Sequence, residues 1–338
     1  MTECDVFPGP SYPTPVRAVP ELTTARAELW LKNDGLSHPV YGGNKVRKAE
    51  RLIAEARFRG ARRVLSFGAA GSHHLLTLSL FARAAGLPCA ALVIPQPRTD
   101  HAVQTLRAAV GLGLAARAVR SPALLPLATL RELRRGDYVV PPGGSNTVGA
   151  QACADAVDEL ALQIASGLVP EPDWIVVPLG SGGTCGGIAA GVLRRGLGCH
   201  VLGVQVVSGV GPQLASTWLA RKVLRKTGFA PLSKQLNTRL SFDTAHVGPG
   251  YGRATEAGAR ATRIAAELGL ELDQTYTAKA FASTLALLER GTPDLQAAHG
   301  RRLRVLYWHT LAASPLEPLL EGAPREDELS SSLRDLFL

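Results

Sequence analysis

The chain has 338 residues, a formal net charge of +9 at pH 7 and a pI near 9.6. Its 46% hydrophobic and 19% charged residues are typical of a globular protein and exclude general disorder, and its dispersed glycines and prolines exclude collagen-like and low-complexity chains. The arginines are scattered and aromatic residues do not interleave with them, so the basic charge does not indicate a nucleic-acid partner.

Strand-like apolar runs alternate with helical runs from about residue 28 onward. Strands are predicted at 28–34, 63–68, 88–95, 173–180, 200–207 and 304–310. Helices are predicted at 45–60, 72–86, 149–166 and 184–196. This rhythm implies a parallel sheet covered by helices. A change of composition at 138–146 indicates a crossing between domains, and the tail from 321 onward is predicted to be a short surface helix or a frayed end.

Other features of the sequence bear on its compartment and on its lysines. No run of about 18 uninterrupted apolar residues occurs, and the first residues lack the basic and apolar regions of a signal peptide. The five cysteines, at 4, 89, 153, 185 and 199, form no Cys-x-x-Cys pair, which argues against a zinc ribbon or a disulfide framework. We therefore expect a cytoplasmic protein. Only seven lysines stand beside thirty arginines, so each lysine is a candidate for chemistry that needs a deprotonated amine.

The first candidate site is Tyr41-Gly42-Gly43-Asn44-Lys45. The two glycines let the backbone bend tightly and approach a ligand closely. Lys45 then stands where a loop meets a helix, and the partial positive charge of a helix N-terminus disfavours an ammonium there. Lys45 thus has a reason to be neutral or to form a Schiff base. The alternative is an ordinary solvated lysine after a turn.

Two small-residue loops follow predicted strands. Gly180-Ser181-Gly182-Gly183-Thr184 is neither a Walker loop nor a dinucleotide fingerprint, and it fits a single phosphate, with a tight packing turn as the alternative. Ser72 falls at a helix N-cap, where a carboxylate could bind, and the alternative is simple capping. His73 and His74 point about 100° apart on a helix, and no acidic residue follows at ligand spacing, so no metal site is predicted.

Two tyrosines occur among small residues. Tyr251 stands between glycines in Gly-Pro-Gly-Tyr-Gly, and Tyr276 begins the run Tyr-Thr-Ala-Lys-Ala. A phenol held on such a loop can act as an acid, a base or an orienting donor. Taken alone, either tyrosine could equally be a core or surface residue.

Taken together and in order, these segments resemble one family. The runs GGNKVRK, VVPPGGSNTVGA, PLGSGGT, VGPGYG and QTYTAKAF, the Ser-His pair and a strand ending in His309-Thr310 are similar to the pyridoxal-phosphate enzymes of the 1-aminocyclopropane-1-carboxylate deaminase and D-cysteine desulfhydrase family. The resemblance spans about residues 10–316 and implies the tryptophan-synthase-β-like fold, fold type II. That is an α/β fold with two domains of open, twisted, mostly parallel sheet flanked by helices. We expect 1–48 with 147–338 to form a large cofactor-binding domain and 49–146 a smaller α/β domain, with the active site in the cleft between them.

The resemblance also implies roles for individual residues. The implied catalytic residues are Lys45, Ser72, Tyr251 and Tyr276. The implied residues for binding pyridoxal 5'-phosphate are Lys45, Asn44, Lys48, His73, Gly180, Ser181, Gly182, Gly183, Thr184 and Thr310. Lys45 would form the Schiff base, the glycine loop would hold the phosphate, and Thr310 would face the pyridine nitrogen. A neutral hydroxyl there favours loss of a β leaving group over transamination.

Two segments depart from the family pattern. Where the family has Gln-Ser-Asn around the serine, this chain has Gly71-Ser72-His73, and His73 could replace one lost amide contact and titrate near neutrality. Where the family has His-Thr-Gly-Gly, this chain has Leu311 and Ala312 in place of the glycines, which would crowd the cofactor ring. Both changes lie in the expected pocket and leave the substrate open.

The resemblance predicts a lyase that acts on a small amino acid by D-cysteine desulfhydrase-like β-elimination, giving pyruvate, ammonia and sulfide or another leaving group. The related cyclopropane deaminases carry glutamate where this chain has Thr277, so cyclopropane-carboxylate deamination is the alternative. A divergent amino-acid substrate and a non-catalytic homologue that binds the cofactor or an amino acid also stay open. The family implies a homodimer, and we expect no nucleic-acid or membrane partner.

Overall fold

The computed structural model describes residues 7–291 and 301–338, so Cys4 lies outside the described residues. The strands are β1 Val16–Val19, β2 Ala27–Asn33, β3 Arg63–Ala69, β4 Cys89–Ile94, β5 Leu114–Ala118, β6 Asp137–Val140, β7 Trp174–Leu179, β8 His200–Gln205, β9 Leu240–Asp243 and β10 Leu303–His309. The helices are α1 Asn44–Phe58, α2 His73–Ala84, α3 Asp100–Gly111, α4 Leu125–Glu132, α5 Thr147–Ala165, α6 Gly183–Arg195, α7 Gly211–Lys226, α8 Leu236–Arg239, α9 Glu256–Glu267, α10 Thr277–Arg290, α11 Glu317–Leu320 and α12 Ser331–Arg334.

The larger of two sheets has six strands in the order β1-β2-β10-β7-β8-β9, parallel except for β1. Both of its faces are covered, as the alternation of side chains along β7 illustrates. Ile175 and Val177 belong to the apolar cluster that includes α5 and α6, whereas Val176 belongs to the cluster that includes α9 and α10. A parallel sheet buried on both faces is what the continuous apolar runs of the sequence predict.

The smaller sheet has four parallel strands in the order β5-β4-β3-β6. Its core also takes in residues of α1 and α2. Two mostly parallel sheets flanked by helices confirm the predicted fold class. The domain bounds at 48/49 and 146/147 stay a prediction.

The C-terminal tail packs onto the smaller sheet. It contains the short helix α12, but Leu333 and Leu336 are buried in the core of that sheet. The Gln96 N–H donates to the Leu336 carbonyl and the Leu338 N–H donates to the Gln96 carbonyl, each at 3.0 Å. The tail is therefore held in place by its leucines and its backbone, and the prediction of a frayed end is wrong.

A buried group of charges fixes helix α1, which carries Lys45. Arg47 donates to Asp34 at 2.7 Å and to Glu159 at 3.0 Å, and Glu159 on α5 also pairs with Lys32 on β2. Thr14 donates to the Asp34 carboxylate at 3.0 Å. The start of α1 is thus tied at once to β2 and to α5, which fixes the position of the loop before it. None of the helices in 7–291 or 301–338 is long and apolar enough to cross a membrane.

Candidate active site

A cavity of about 680 Å³ lies where strands of both sheets end, with Ala69, Pro178 and Thr310 in its wall. The carboxyl ends of parallel strands are where α/β proteins build their ligand sites. The predicted site residues that line this cavity are Asn44, Lys45, Ser72, His73, Gly180, Ser181, Gly182, Gly183, Thr184, Tyr251, Tyr276 and Thr310. The structure therefore brings together residues from six separate stretches of sequence. Their chemical roles stay predictions.

Lys45 occupies the second position of α1, directly after a tight turn. Gly43, with φ at 92°, adopts a backbone conformation that favours glycine, and α1 begins at the next residue. A Cβ on Gly43 would lie 2.9 Å from the Thr310 carbonyl, so the loop also needs glycine for close approach. Burial, with the neighbouring charge of Lys48, lowers the pKa of Lys45 to about 7. About half of the Lys45 amines are thus neutral, and so nucleophilic, at pH 7.

The lowered pKa of Lys45 gives a pH dependence for cofactor capture. Only the neutral amine attacks an aldehyde, so capture of pyridoxal phosphate by the cofactor-free protein should fall about tenfold per pH unit below about 7 and level off above it. Stopped-flow absorbance between pH 5.5 and 9 measures the rate. A midpoint near 10, as for a solvated lysine, would contradict the environment described for Lys45.

The glycine loop forms a cradle at the start of α6. Gly182 has φ at 90°, and the Gly183 N–H donates to the Ser145 hydroxyl at 3.1 Å. Lys48 does not line the cavity itself; its amine donates to the Gly143 carbonyl at 3.1 Å. A Cβ on Gly183 would lie 2.5 Å from Ser145 Oγ and 2.8 Å from Lys48 Nζ, so hydroxyl, amine and helix N-terminus converge on one place. This donor set suits a phosphate group.

A methyl group in this cradle should weaken cofactor binding. We expect Gly183→Ala to raise the Kd for pyridoxal phosphate at least about tenfold, a free-energy loss of about 1.4 kcal/mol, because the added Cβ pushes Ser145 and Lys48 out of place. Gly211→Ala is the matched control, since Gly211 is also the first residue of a helix and a Cβ there meets nothing within 4 Å. Absorbance titration of the cofactor-free variants gives both values. Equal affinities of the two variants for pyridoxal phosphate would mean that the cofactor phosphate does not bind in this loop.

Ser72 stands at the N-terminus of α2 with its hydroxyl uncommitted. It has the extended backbone of an N-cap, but its side chain makes no capping hydrogen bond. Simple capping is therefore not its role. The 12-residue helix α2 leaves its first N–H groups directed at the cavity end of the helix, where a carboxylate would be stabilised.

Tyr251 and Tyr276 meet in the wall of the cavity. The Tyr276 hydroxyl donates to the Tyr251 hydroxyl at 3.0 Å, and the rings are nearly perpendicular. Burial raises the pKa of both phenols. The loop that carries Tyr251 is held by Lys279, whose buried amine donates to the Val247 and Gly250 carbonyls at 2.7 and 2.8 Å. Two protonated, linked phenols can hold or pass a proton within the cavity.

The two adjacent histidines turn in different directions. His74 is buried at the cavity wall, and its Nε2 lies 3.0 Å from the hydroxyl of Ser66 on β3 of the smaller sheet. His73 contacts Tyr41 and His101. Burial, with the nearby His101, lowers the pKa of His73 to about 4. The expectation that His73 titrates near neutrality is therefore wrong, because its surroundings and the neighbouring His101 disfavour the charged ring.

Thr310 follows β10 at the base of the cavity and is linked to the lysine loop. Its carbonyl accepts from the Asn44 N–H at 3.2 Å, and the Asn44 side chain donates to the Thr184 hydroxyl at 2.9 Å. Asn44 thus connects the lysine loop, the strand end and the phosphate cradle. Leu311 and Ala312 line the cavity as the sequence predicts.

Other residues at the cavity did not stand out in the sequence. Asp273 lines it and caps α10, accepting from the N–H groups of Tyr276 at 2.7 Å and Thr277 at 3.1 Å. Its position just before a helix was a usable signal. Ser145, which contacts the cradle without lining the cavity, stands out in the sequence only as part of a motif, and Tyr41 only as the residue before two glycines. Their roles depend on contacts between residues far apart in the sequence.

These features together fit pyridoxal phosphate. A lysine with a lowered pKa, a phosphate cradle that a Cβ would fill and a cavity larger than the cofactor lie next to one another. Lys45 would hold the aldehyde carbon, and Gly180–Thr184 with Lys48 and Ser145 would hold the phosphate. The fit rests on the described residues alone and on the chemistry of their donors.

Comparisons with known proteins agree with this fit. The profile of the family described as "Pyridoxal-phosphate dependent enzyme" matches residues 9–296. The chain is 34% identical to nocardicin C-9' epimerase of Nocardia uniformis subsp. tsuyamanensis, covering 89% of this chain and 91% of that protein. It is 32% identical to D-cysteine desulfhydrase of Klebsiella pneumoniae (strain 342), covering 81% and 85% respectively.

A solved structure described as an ACC deaminase homologue superposes with a TM-score of 0.74 at 25% identity, covering 94% of this chain and 95% of that one. The resemblance inferred from the sequence, the fold type II architecture and the cofactor prediction are thereby confirmed. The matched segment includes the lysine loop, the cradle and both tyrosines. The chain belongs to the family of pyridoxal-phosphate dependent enzymes.

Proposed function

We propose that this enzyme catalyses β-elimination on a small amino acid such as D-cysteine, releasing sulfide and giving pyruvate and ammonia. The observation that carries the proposal is the single cavity that gathers Lys45, Ser72, the two linked tyrosines and the phosphate cradle. The relationship to D-cysteine desulfhydrase, at 32% identity, supports the same chemistry.

Each group in the wall has a task in this reaction. When bound, pyridoxal phosphate supplies an electron sink for the bonds at the substrate Cα. Lys45, whose pKa is lowered to about 7, removes the α proton as its neutral amine. Ser72 and the free N–H groups of α2 bind the substrate carboxylate. The Tyr251–Tyr276 pair holds the proton that the departing β group takes up.

One set of assays tests the proposal. The holoenzyme should produce pyruvate and sulfide in equal amounts from D-cysteine, and borohydride reduction followed by peptide mapping should find the cofactor on the peptide that carries Lys45. A protein that takes up no pyridoxal phosphate would end the proposal. Uptake without spectral change on addition of any small D- or L-amino acid would favour a non-catalytic homologue.

Cyclopropane-carboxylate deamination is the less favoured alternative. Thr277, which replaces the glutamate of those deaminases, is fully buried and donates its hydroxyl to Asp273 at 2.7 Å. It therefore offers no acid group to the cavity, and Asp273 is itself occupied in capping α10. Formation of 2-oxobutyrate from 1-aminocyclopropane-1-carboxylate would reverse this preference.

Epimerisation of an amino acid is a second candidate, favoured by the 34% identity to an epimerase. Both reactions begin with removal of the α proton, so the same Lys45 would serve. Chiral chromatography of an amino acid that lacks a β leaving group separates the two: an epimerase would convert one enantiomer into the other without forming pyruvate.

We further propose that the protein works as a cytoplasmic homodimer. Cys89, Cys153, Cys185 and Cys199 are free and buried, which suits a reducing compartment. The dimer follows from the family resemblance. Sedimentation equilibrium of the holoenzyme measures the assembly, and a monomer at micromolar concentration would contradict it.

A further inference from the structure

Three side chains form a hydrogen-bonded line from the cavity to solvent. The Tyr41 hydroxyl lies 2.5 Å from His73 Nδ1, and His73 Nε2 lies 3.3 Å from His101 Nε2. Tyr41 is 2% exposed and lines the cavity, as does His73, whereas His101 on α3 is exposed. One end of the line therefore faces the cavity and the other faces bulk water.

The chemistry of this line permits proton transfer in both directions. A neutral imidazole donates from one nitrogen and accepts at the other. In one arrangement His101 donates to His73, His73 donates to Tyr41, and the Tyr41 hydroxyl points its proton into the cavity. In the other arrangement Tyr41 donates to His73 and His73 donates to His101, across the same two contacts.

When one proton passes inward along this line, the bonds and charges of its three side chains balance. His101 takes a proton from water at its outer nitrogen and gives its Nε2 proton to His73. His73 gives its Nδ1 proton to the Tyr41 oxygen, and Tyr41 releases its own proton to the reacting molecule. Each O–H or N–H bond that breaks is replaced by one that forms, and all three groups end neutral.

A purely structural role explains His74 better than His73. His74 is buried and its ring nitrogen is used by Ser66. Both histidines line the cavity, but both ring nitrogens of His73 are used by the line to solvent. Its low pKa keeps the ring neutral at pH 7, which is the form that can accept and donate at once.

We propose that Tyr41, His73 and His101 form a proton relay that connects the cavity to solvent and serves, beside Lys45, as a second acid–base system of the site. The relay rests on the proposed function in that the reacting molecule is an amino acid. It gives the substrate Cα a route for exchange with water that does not require the Lys45 proton to leave the cavity.

The first test needs no bound cofactor. In cofactor-free protein with 15N-labelled histidine, Tyr41→Phe should shift the His73 Nδ1 resonance, and His73→Gln should shift the His101 Nε2 resonance. His200→Gln is the control, because His200 pairs with Ser241 away from the cavity. A His101 resonance unmoved by His73→Gln would overturn the relay.

The second test follows deuterium uptake from D2O at Cα of D- and L-alanine by proton NMR, with the holoenzyme. Alanine has no β leaving group, so exchange is read without elimination. We expect His73→Gln to slow exchange about 100-fold, which is within the usual contribution of a positioned acid or base, and added imidazole to restore part of the rate in His73→Gly. Tyr41→Phe is the second variant, should His73 variants fail to fold.

The outcomes separate the relay from the proposed function, for which β-chloroalanine serves as the elimination substrate. Unchanged exchange in both His73→Gln and Tyr41→Phe overturns the relay. Pyruvate from β-chloroalanine without any alanine exchange by the wild type also overturns the relay and leaves the elimination standing. Exchange that depends on His73, without pyruvate from D-cysteine or β-chloroalanine, supports the relay and overturns the elimination.

Discussion

Lys45→Arg is expected to lower pyruvate formation by the holoenzyme at least about 1000-fold. Arginine keeps the positive charge but cannot lose its proton, so it can neither bond to the cofactor nor remove the α proton. Burial and Lys48 already lower the pKa of Lys45 to about 7, and an obligate cation would reverse that adjustment. Steady-state kinetics with D-cysteine and borohydride trapping give the two readouts.

Lys222→Arg is the matched control for this change. Lys222 lies on α7, about 5.2 Å from the ring centroid of Trp218, and does not line the cavity. The same substitution there should leave both readouts within twofold of the wild type. Substantial turnover in Lys45→Arg, with Lys222→Arg normal, would mean that another amine holds the cofactor.

Arg47→Met is expected to cost about 3–5 kcal/mol of unfolding free energy, the usual loss when one partner of a buried ion pair is removed. Arg47 is 5% exposed and makes contacts with Asp34 at 2.7 Å and Glu159 at 3.0 Å. Without it, the fully enclosed Asp34 carboxylate loses its main counter-charge. Urea denaturation of the cofactor-free protein measures the change, since bound cofactor would mask part of it.

Arg51, one turn further along α1, supplies the control. It also pairs with a carboxylate, that of Asp155, but its side chain is 42% exposed. Arg51→Met should therefore cost about 1 kcal/mol or less. If the two variants lose equal stability, the buried charges are not what fixes α1.

The elements that could be predicted from the sequence are those with strong local signals. Local sequence alone predicts the conformation of some segments, whichever element packs on them. These are the apolar runs of β3 and β4, which form strands, and the glycines before α1 and α6, which form turns. β5 went unassigned because its alternate residues, such as Ala115 and Arg117, face solvent at the sheet edge. A short edge strand carries little apolar signal.

The site residues fall into the same two groups, those with a local sequence signal and those without one. The residues of the lysine loop and the cradle carry a motif, so they could be named before the fold was known. His101 could not, because it is 28 residues from His73 and only the packing of α3 against α2 brings the rings together. Ser145 and Asp273 likewise act through neighbours that the fold supplies.

The distribution of lysines has a practical consequence. All seven lie within the described residues, and Lys32, Lys48 and Lys279 are buried while Lys45 lines the cavity. The remaining side-chain amines, at 222, 226 and 234, fall within thirteen consecutive positions on α7 and the turn that follows it. Coupling of the holoenzyme to a surface through its lysines would therefore use the same short stretch on every chain, with the N-terminal α-amine as the other amine that such a reagent modifies.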